Sequence, residues 1–207
     1  MLERITRRER NDLLVAWLAI SIAFTLIFIR EGKMEIFDVL LYFGLSLLTV
    51  GIGFILHEMA HKFTAIKYGF WAEFQKDNLM LLVAVTLAAL VGVVFAAPGA
   101  TMIYGSGITR EQNGKISAAG PLTNLILCVP FGILLLLSGY LSGEGRSFAM
   151  LFGMVGLQVN AMVAAFNMLP VSVLDGKKVL AWNPLVFIVL IVAAFGVLIA
   201  TLYPIFL

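Results

Sequence analysis

Charged residues cut this 207-residue chain into long uncharged runs: Leu13–Ile29, Val39–Leu56, Leu79–Thr109, Ile116–Gly143, Ser147–Leu174 and Val179–Leu207. Each approaches or exceeds the roughly 17–20 residues with which an α-helix crosses bilayer hydrocarbon. The pattern predicts an all-α polytopic membrane protein, one integral domain over 1–207. Within it, 39–176 forms the core, 1–38 an N-terminal anchor helix and loop, and 177–207 a C-terminal helix. No soluble accessory domain fits between the runs.

Composition agrees. The chain is 61% hydrophobic and 13% charged, with a mean hydropathy of +1.03, more apolar surface than a soluble domain of this size can bury. There is no low-complexity or arginine-rich tract, which argues against a nucleic-acid partner. Cys128 is the single cysteine, so no intramolecular disulfide forms, and its apolar setting reads as a buried inert thiol. The basic N-terminus precedes an apolar run without a small-residue cleavage site, and Arg30, Glu31 and Lys33 follow it. An uncleaved anchor helix is expected there.

Chemistry concentrates in His57-Glu58-Met59-Ala60-His61, directly after the eighteen uncharged residues from Val39 to Leu56. Residues i and i+4 share a helix face, so His57 and His61 can offer two imidazoles to one metal, with Glu58 beside them as a general base. These are the chain's two histidines, and ionisable groups at membrane depth are costly enough to require partners. The motif therefore reads as a single catalytic zinc site, which normally takes three protein ligands and leaves a position for water. Among the twelve acids, Asp175 stands out because it follows 28 uncharged residues and the helix-breaking Pro170. The spacing favours it as third ligand. It also leaves open that Asp175 caps the next helix or pairs with Lys177 or Lys178, and Asp-Gly is an ordinary turn pair.

Asn167-Met168-Leu169-Pro170, leading to Leu174-Asp175-Gly176, has the N-x-x-P…L-D-G form that accompanies HExxH in the site-2 proteases. Ala119-Gly120-Pro121-Leu122-Thr123-Asn124 resembles the A-G-P-x-x-N segment of the same family. The resemblance covers about Val39 to Gly176. It implies Zn2+ bound by His57, His61 and Asp175, Glu58 as catalytic base, and Asn167 beside the metal, helping to stabilise the oxyanion of peptide hydrolysis. An amide aimed at developing charge fits that role physically, and helix–helix glue is the alternative for Asn167. Gly120-Pro121 and Asn124 read as kinking and packing.

The resemblance and the charges also bear on topology. Phe70–Gln75 is expected as a short membrane-associated strand, since Gly69 ends the helix and aromatics follow. His57, His61 and Asp175 can share a metal only if Leu79–Thr109 enters and leaves on one side, as a re-entrant helix broken at Pro98-Gly99 and followed by an extended Ala100–Gly105. With the N-terminus cytoplasmic and the C-terminus outside, this arrangement puts 11 basic residues inside and 3 outside, against 8 and 6 for a full crossing. About five full spans result. The expected function is an intramembrane zinc endopeptidase acting on transmembrane segments of protein substrates within the lipid bilayer. The rivals are a catalytically silent metal-binding scaffold and, on weaker grounds, a zinc transporter.

Overall fold

A computed structural model describes residues 5–30, 35–92, 94 and 98–202. Glu3, Arg4, Glu31, Lys33, residues 95–97 of the expected re-entrant helix and the C-terminal 203–207 lie outside the described residues. Helix α1, Arg7–Phe28, starts where the Thr6 hydroxyl accepts the Glu9 amide, a cap that satisfies an otherwise unpaired donor. Helices α2 (Ile36–Ser46) and α3 (Ile52–Lys67) run on through a π-helical turn at Leu47–Gly51. The Trp17 indole of α1 donates to the Leu47 carbonyl at 3.0 Å within that turn. Its ring lies where any side chain at Gly51 would go, so glycine is required for this close approach.

Gly69, in the left-handed region at φ 86°, ends α3 and turns the chain into strand β1, Trp71–Lys76. After helix α4 (Asn78–Val91), strand β2 (Gly99–Tyr104) pairs antiparallel with β1, Trp71 opposite Tyr104 and Lys76 opposite Gly99. The expected strands are present, each displaced by one residue. Helix α4 has 14 residues, about 21 Å of rise against a hydrocarbon core of about 30 Å. Because Trp71 and Tyr104 are paired neighbours, the chain leaves and returns at one place, as a re-entrant excursion does.

Helix α5, Arg110–Ser138, opens on a capping box between Thr109 and Gln112. That box is why it begins before the uncharged run does. Helix α6, Gly143–Asn167, stops ahead of Pro170. The loop 168–174 leads to the short helix α7, Asp175–Trp182. Val179–Leu207 was expected as one span, but it is interrupted at Asn183, which is extended and precedes Pro184. A residue before proline disfavours helical geometry, so helix α8 starts afresh at Pro184–Leu202, capped by the Asn183 side chain.

Among the described residues, five helical segments are long and apolar enough to cross a membrane: α1, α2 through α3, α5, α6 and α8. Their outward faces stay apolar, as with Leu122, Ile126, Val129, Ile133 and Leu136 along α5, which suits hydrocarbon rather than water. The chain is a multi-pass membrane protein. The largest buried cluster joins Leu13, Ile20 and Phe24 of α1 to Val50, Phe54, Phe74, Val155 and Val159, so α1, α3, β1 and α6 share one core.

Candidate metal centre

His57 and His61 lie one turn apart on α3, and Asp175 opens α7. All three are buried, and their ligand atoms lie within 4.8 Å of one another. Asp175 does not cap its helix: Leu174 holds the N-cap position without a side-chain bond, and the Asp175 carboxylate turns inward. Its Oδ2 stands 3.4 Å from Nε2 of His57 and 3.1 Å from Nε2 of His61. Zn–N and Zn–O bonds of about 2.0–2.1 Å place tetrahedral ligands about 3.3 Å apart, so both separations suit one zinc ion. Close packing of α7 is what brings Asp175 this near. Any side chain at Gly176 would meet the Met168 backbone, which gives the glycine of Asp175-Gly176 its reason.

The far side of each imidazole fixes its tautomer. The Asn124 amide nitrogen donates to the Gly53 carbonyl at 3.3 Å and to Asn160 Oδ1 at 3.0 Å. Asn124 Oδ1 is thus the acceptor facing His57 Nδ1 at 2.6 Å. The Ile116 carbonyl, which can only accept, faces His61 Nδ1 at 2.8 Å. Both rings therefore carry their proton on Nδ1 and present an Nε2 lone pair toward Asp175, the arrangement metal-bound histidines adopt. Gly120 supplies the space, since a methyl group there would press on both Nε2 atoms. Asn124 and Gly120, expected to pack and kink, instead orient a ligand and clear room beside two.

Glu58 faces another way. The Thr101 hydroxyl on β2 lies 2.8 Å from Glu58 Oε2 and 3.1 Å from the Glu58 carbonyl. Nothing in the sequence around Thr101 marks it. Glu58 and His57 border a cavity of about 400 Å³ whose other walls are mostly apolar, including Phe24 and Phe28 of α1, Phe54 of α3, and Met162 and Phe166 of α6. Asn167 lies on the same wall, with its amide donating to the Val163 carbonyl of its own helix at 3.0 Å. Cys128 is buried in α5 against the Leu157 carbonyl, apart from this cluster.

The chain is 40% identical to a protein of Methanocaldococcus jannaschii, provisionally named a zinc metalloprotease, over 184 residues that cover 89% of each chain. The chain belongs to this zinc metalloprotease family. A Bacillus subtilis relative with the same provisional name is 28% identical, over 69% of this chain and 73% of its own. A second M. jannaschii zinc metalloprotease is 23% identical, over 78% of this chain and 40% of its own. No family model matches the chain, and no solved structure matches it significantly. The cofactor is zinc, and the donor set of two neutral imidazoles and one carboxylate is the kind a catalytic zinc takes.

Proposed function

We propose that this metalloprotease is a site-2-type intramembrane endopeptidase that cuts peptide bonds in the transmembrane segments of other proteins. One observation carries the reading: His57 of the metal cluster and the neighbouring Glu58, both on a spanning helix, border an apolar cavity. Such a cavity suits a transmembrane segment, whose apolar side chains need shelter beside the reacting bond.

His57, His61 and Asp175 hold the zinc in this reading. When bound, zinc supplies Lewis acidity that polarises the scissile carbonyl and makes water acidic enough to deprotonate near neutral pH. Glu58 accepts the proton of the attacking water at its carboxylate and returns it to the leaving amine. Asn167 is assigned to the developing oxyanion, which requires its amide to exchange the Val163 carbonyl for substrate.

Substrate must be extended, because a helical backbone shields its own carbonyls. The β2 edge is suited to hold it. The Phe74 amide points away from β2, toward Glu9. Since Phe74 pairs with Thr101, antiparallel alternation turns the Thr101 and Ile103 backbone groups away from β1. An unwound segment added there would lie beside Glu58. The 11-to-3 distribution of basic residues favours a cytoplasmic N-terminus and a cytoplasm-facing site.

The test is cleavage of a model transmembrane substrate by purified protein in liposomes, with the cut mapped by mass spectrometry. Cleavage inside the apolar segment, lost in Glu58→Gln with zinc retained, is expected. Cleavage confined to soluble peptides, or zinc flux without cleavage, would overturn the reading.

A further inference from the structure

Glu9 and Lys62 are both fully buried and form an ion pair between α1 and α3. Two charges leave water only at considerable cost, and neither belongs to the metal cluster. Glu9 is engaged through both oxygens: Oε2 meets Lys62 Nζ, and Oε1 accepts the Phe74 amide of β1 at 3.0 Å. Phe74 is the strand partner of Thr101, whose hydroxyl lies on Glu58. Glu58 and Lys62 occupy successive turns of the same helix. The contacts therefore close a ring: Glu58, Thr101, Phe74, Glu9, Lys62 and back along α3 to Glu58. Phe54 packs edge-on against Phe74 one turn earlier on α3, with ring centroids 5.6 Å apart, and braces the same strand from inside.

We propose that Glu9 is a positioning residue for catalysis: by binding Lys62 and the Phe74 amide together, it sets the sheet against α3 so that Thr101 fixes the Glu58 carboxylate. This rests on Glu58 being the base. Two neighbouring contacts lie outside the ring and serve as controls. The Thr6 hydroxyl bonds Glu73 at 2.6 Å, and Asp12 stands 3.9 Å from Lys76. Both tie α1 to β1 without reaching Phe74 or α3.

The experiment is a double-mutant cycle on the zinc-loaded full chain with Glu9→Leu, Thr101→Val and the pair. A base displaced by about 1 Å can cost on the order of 100-fold in rate. Glu9→Leu is therefore expected to lower kcat about 10- to 100-fold with KM and zinc content unchanged. The pair should be no slower than the slower single variant, because both remove one linkage. Hydrogen exchange should quicken in 71–76 and 99–104 but not in α5 or α6, and Asp12→Asn should leave kcat unchanged. Losses that multiply, or unaltered exchange in both strands, would overturn the proposal. Should Glu9→Leu fail to fold, Glu9→Gln keeps the acceptor for the Phe74 amide while removing the charge. It is expected to lose part of kcat, recovered when Lys62→Met is added; no recovery would count against the ring. Glu58→Gln in parallel separates the two readings: full activity in it would defeat the catalytic assignment of Glu58, whereas exchange and zinc content judge the ring by themselves.

Discussion

Helix α3 carries two rows of residues one position apart, and they face different machinery. Gly53, His57 and His61 look toward α5 and α6. There Asn124 and Asn160 crowd Gly53, Asn124 takes His57, and the Ile116 carbonyl takes His61. Phe54, Glu58 and Lys62 look toward α1 and the sheet, meeting Phe74, Thr101 and Glu9. The first row is anchored to backbone carbonyls and an amide network between helices, the second to a two-stranded sheet tied to α1. One helix thus holds its metal ligands against α5 and α6 and presents its base to α1 and the sheet.

Removing a ligand from the first row should abolish the metal site outright. His61→Ala or Asp175→Ala is expected to lose bound zinc, measured by metal analysis, and all cleavage with it. A catalytic zinc has three protein ligands, and two rarely retain it against buffer. Glu58→Gln should do the opposite on the other row. Zinc content should match wild type while cleavage falls by roughly 10²- to 10⁴-fold, the usual contribution of a general base. Zinc loss in Glu58→Gln would mean that the rows are not separable.

Much of the first row was legible in the sequence. Two histidines at i and i+4, with one aspartate placed after a long uncharged run and a proline, left few other donors, and their need to meet predicted the re-entrant Leu79–Thr109. Helix α4 with its flanking strand pair bears that out. The second row was hidden. Glu9 and Lys62 resemble the solvated charges that flank any span, and Thr101 sits in a stretch whose only signal is a Pro-Gly break. Their partners lie 43 to 65 residues away, and no periodicity encodes a pairing between a helix terminus and a strand backbone. Asn124 falls between: its motif was visible, but its bond to His57 depends on how α5 crosses α3.

A smaller effect is expected at Asn124. Asn124→Ala removes the acceptor that fixes the His57 tautomer and leaves Asn160 without one of its donors. Loss of such a partner typically costs about 10- to 100-fold in metal affinity. Competition with a chelator of known zinc affinity measures this, and at saturating zinc the cleavage rate should largely return. Gly120→Ala should act in the same direction through crowding, because the added methyl must displace both imidazoles.

The smallest change isolates the second row. Thr101→Val conserves shape but deletes the hydroxyl that lies between the Glu58 carboxylate and its own backbone carbonyl. A hydrogen bond to a charged group contributes about 1.5–3 kcal/mol when no substitute exists. The cavity beside Glu58 can admit water, so the lower end applies and kcat should fall about tenfold. Zinc affinity should stay at the wild-type value, because Thr101 touches neither imidazole nor Asp175. If chelator competition instead showed weakened zinc with kcat intact, the sheet would be supporting the ligands rather than the base, and the two rows of α3 would act as one.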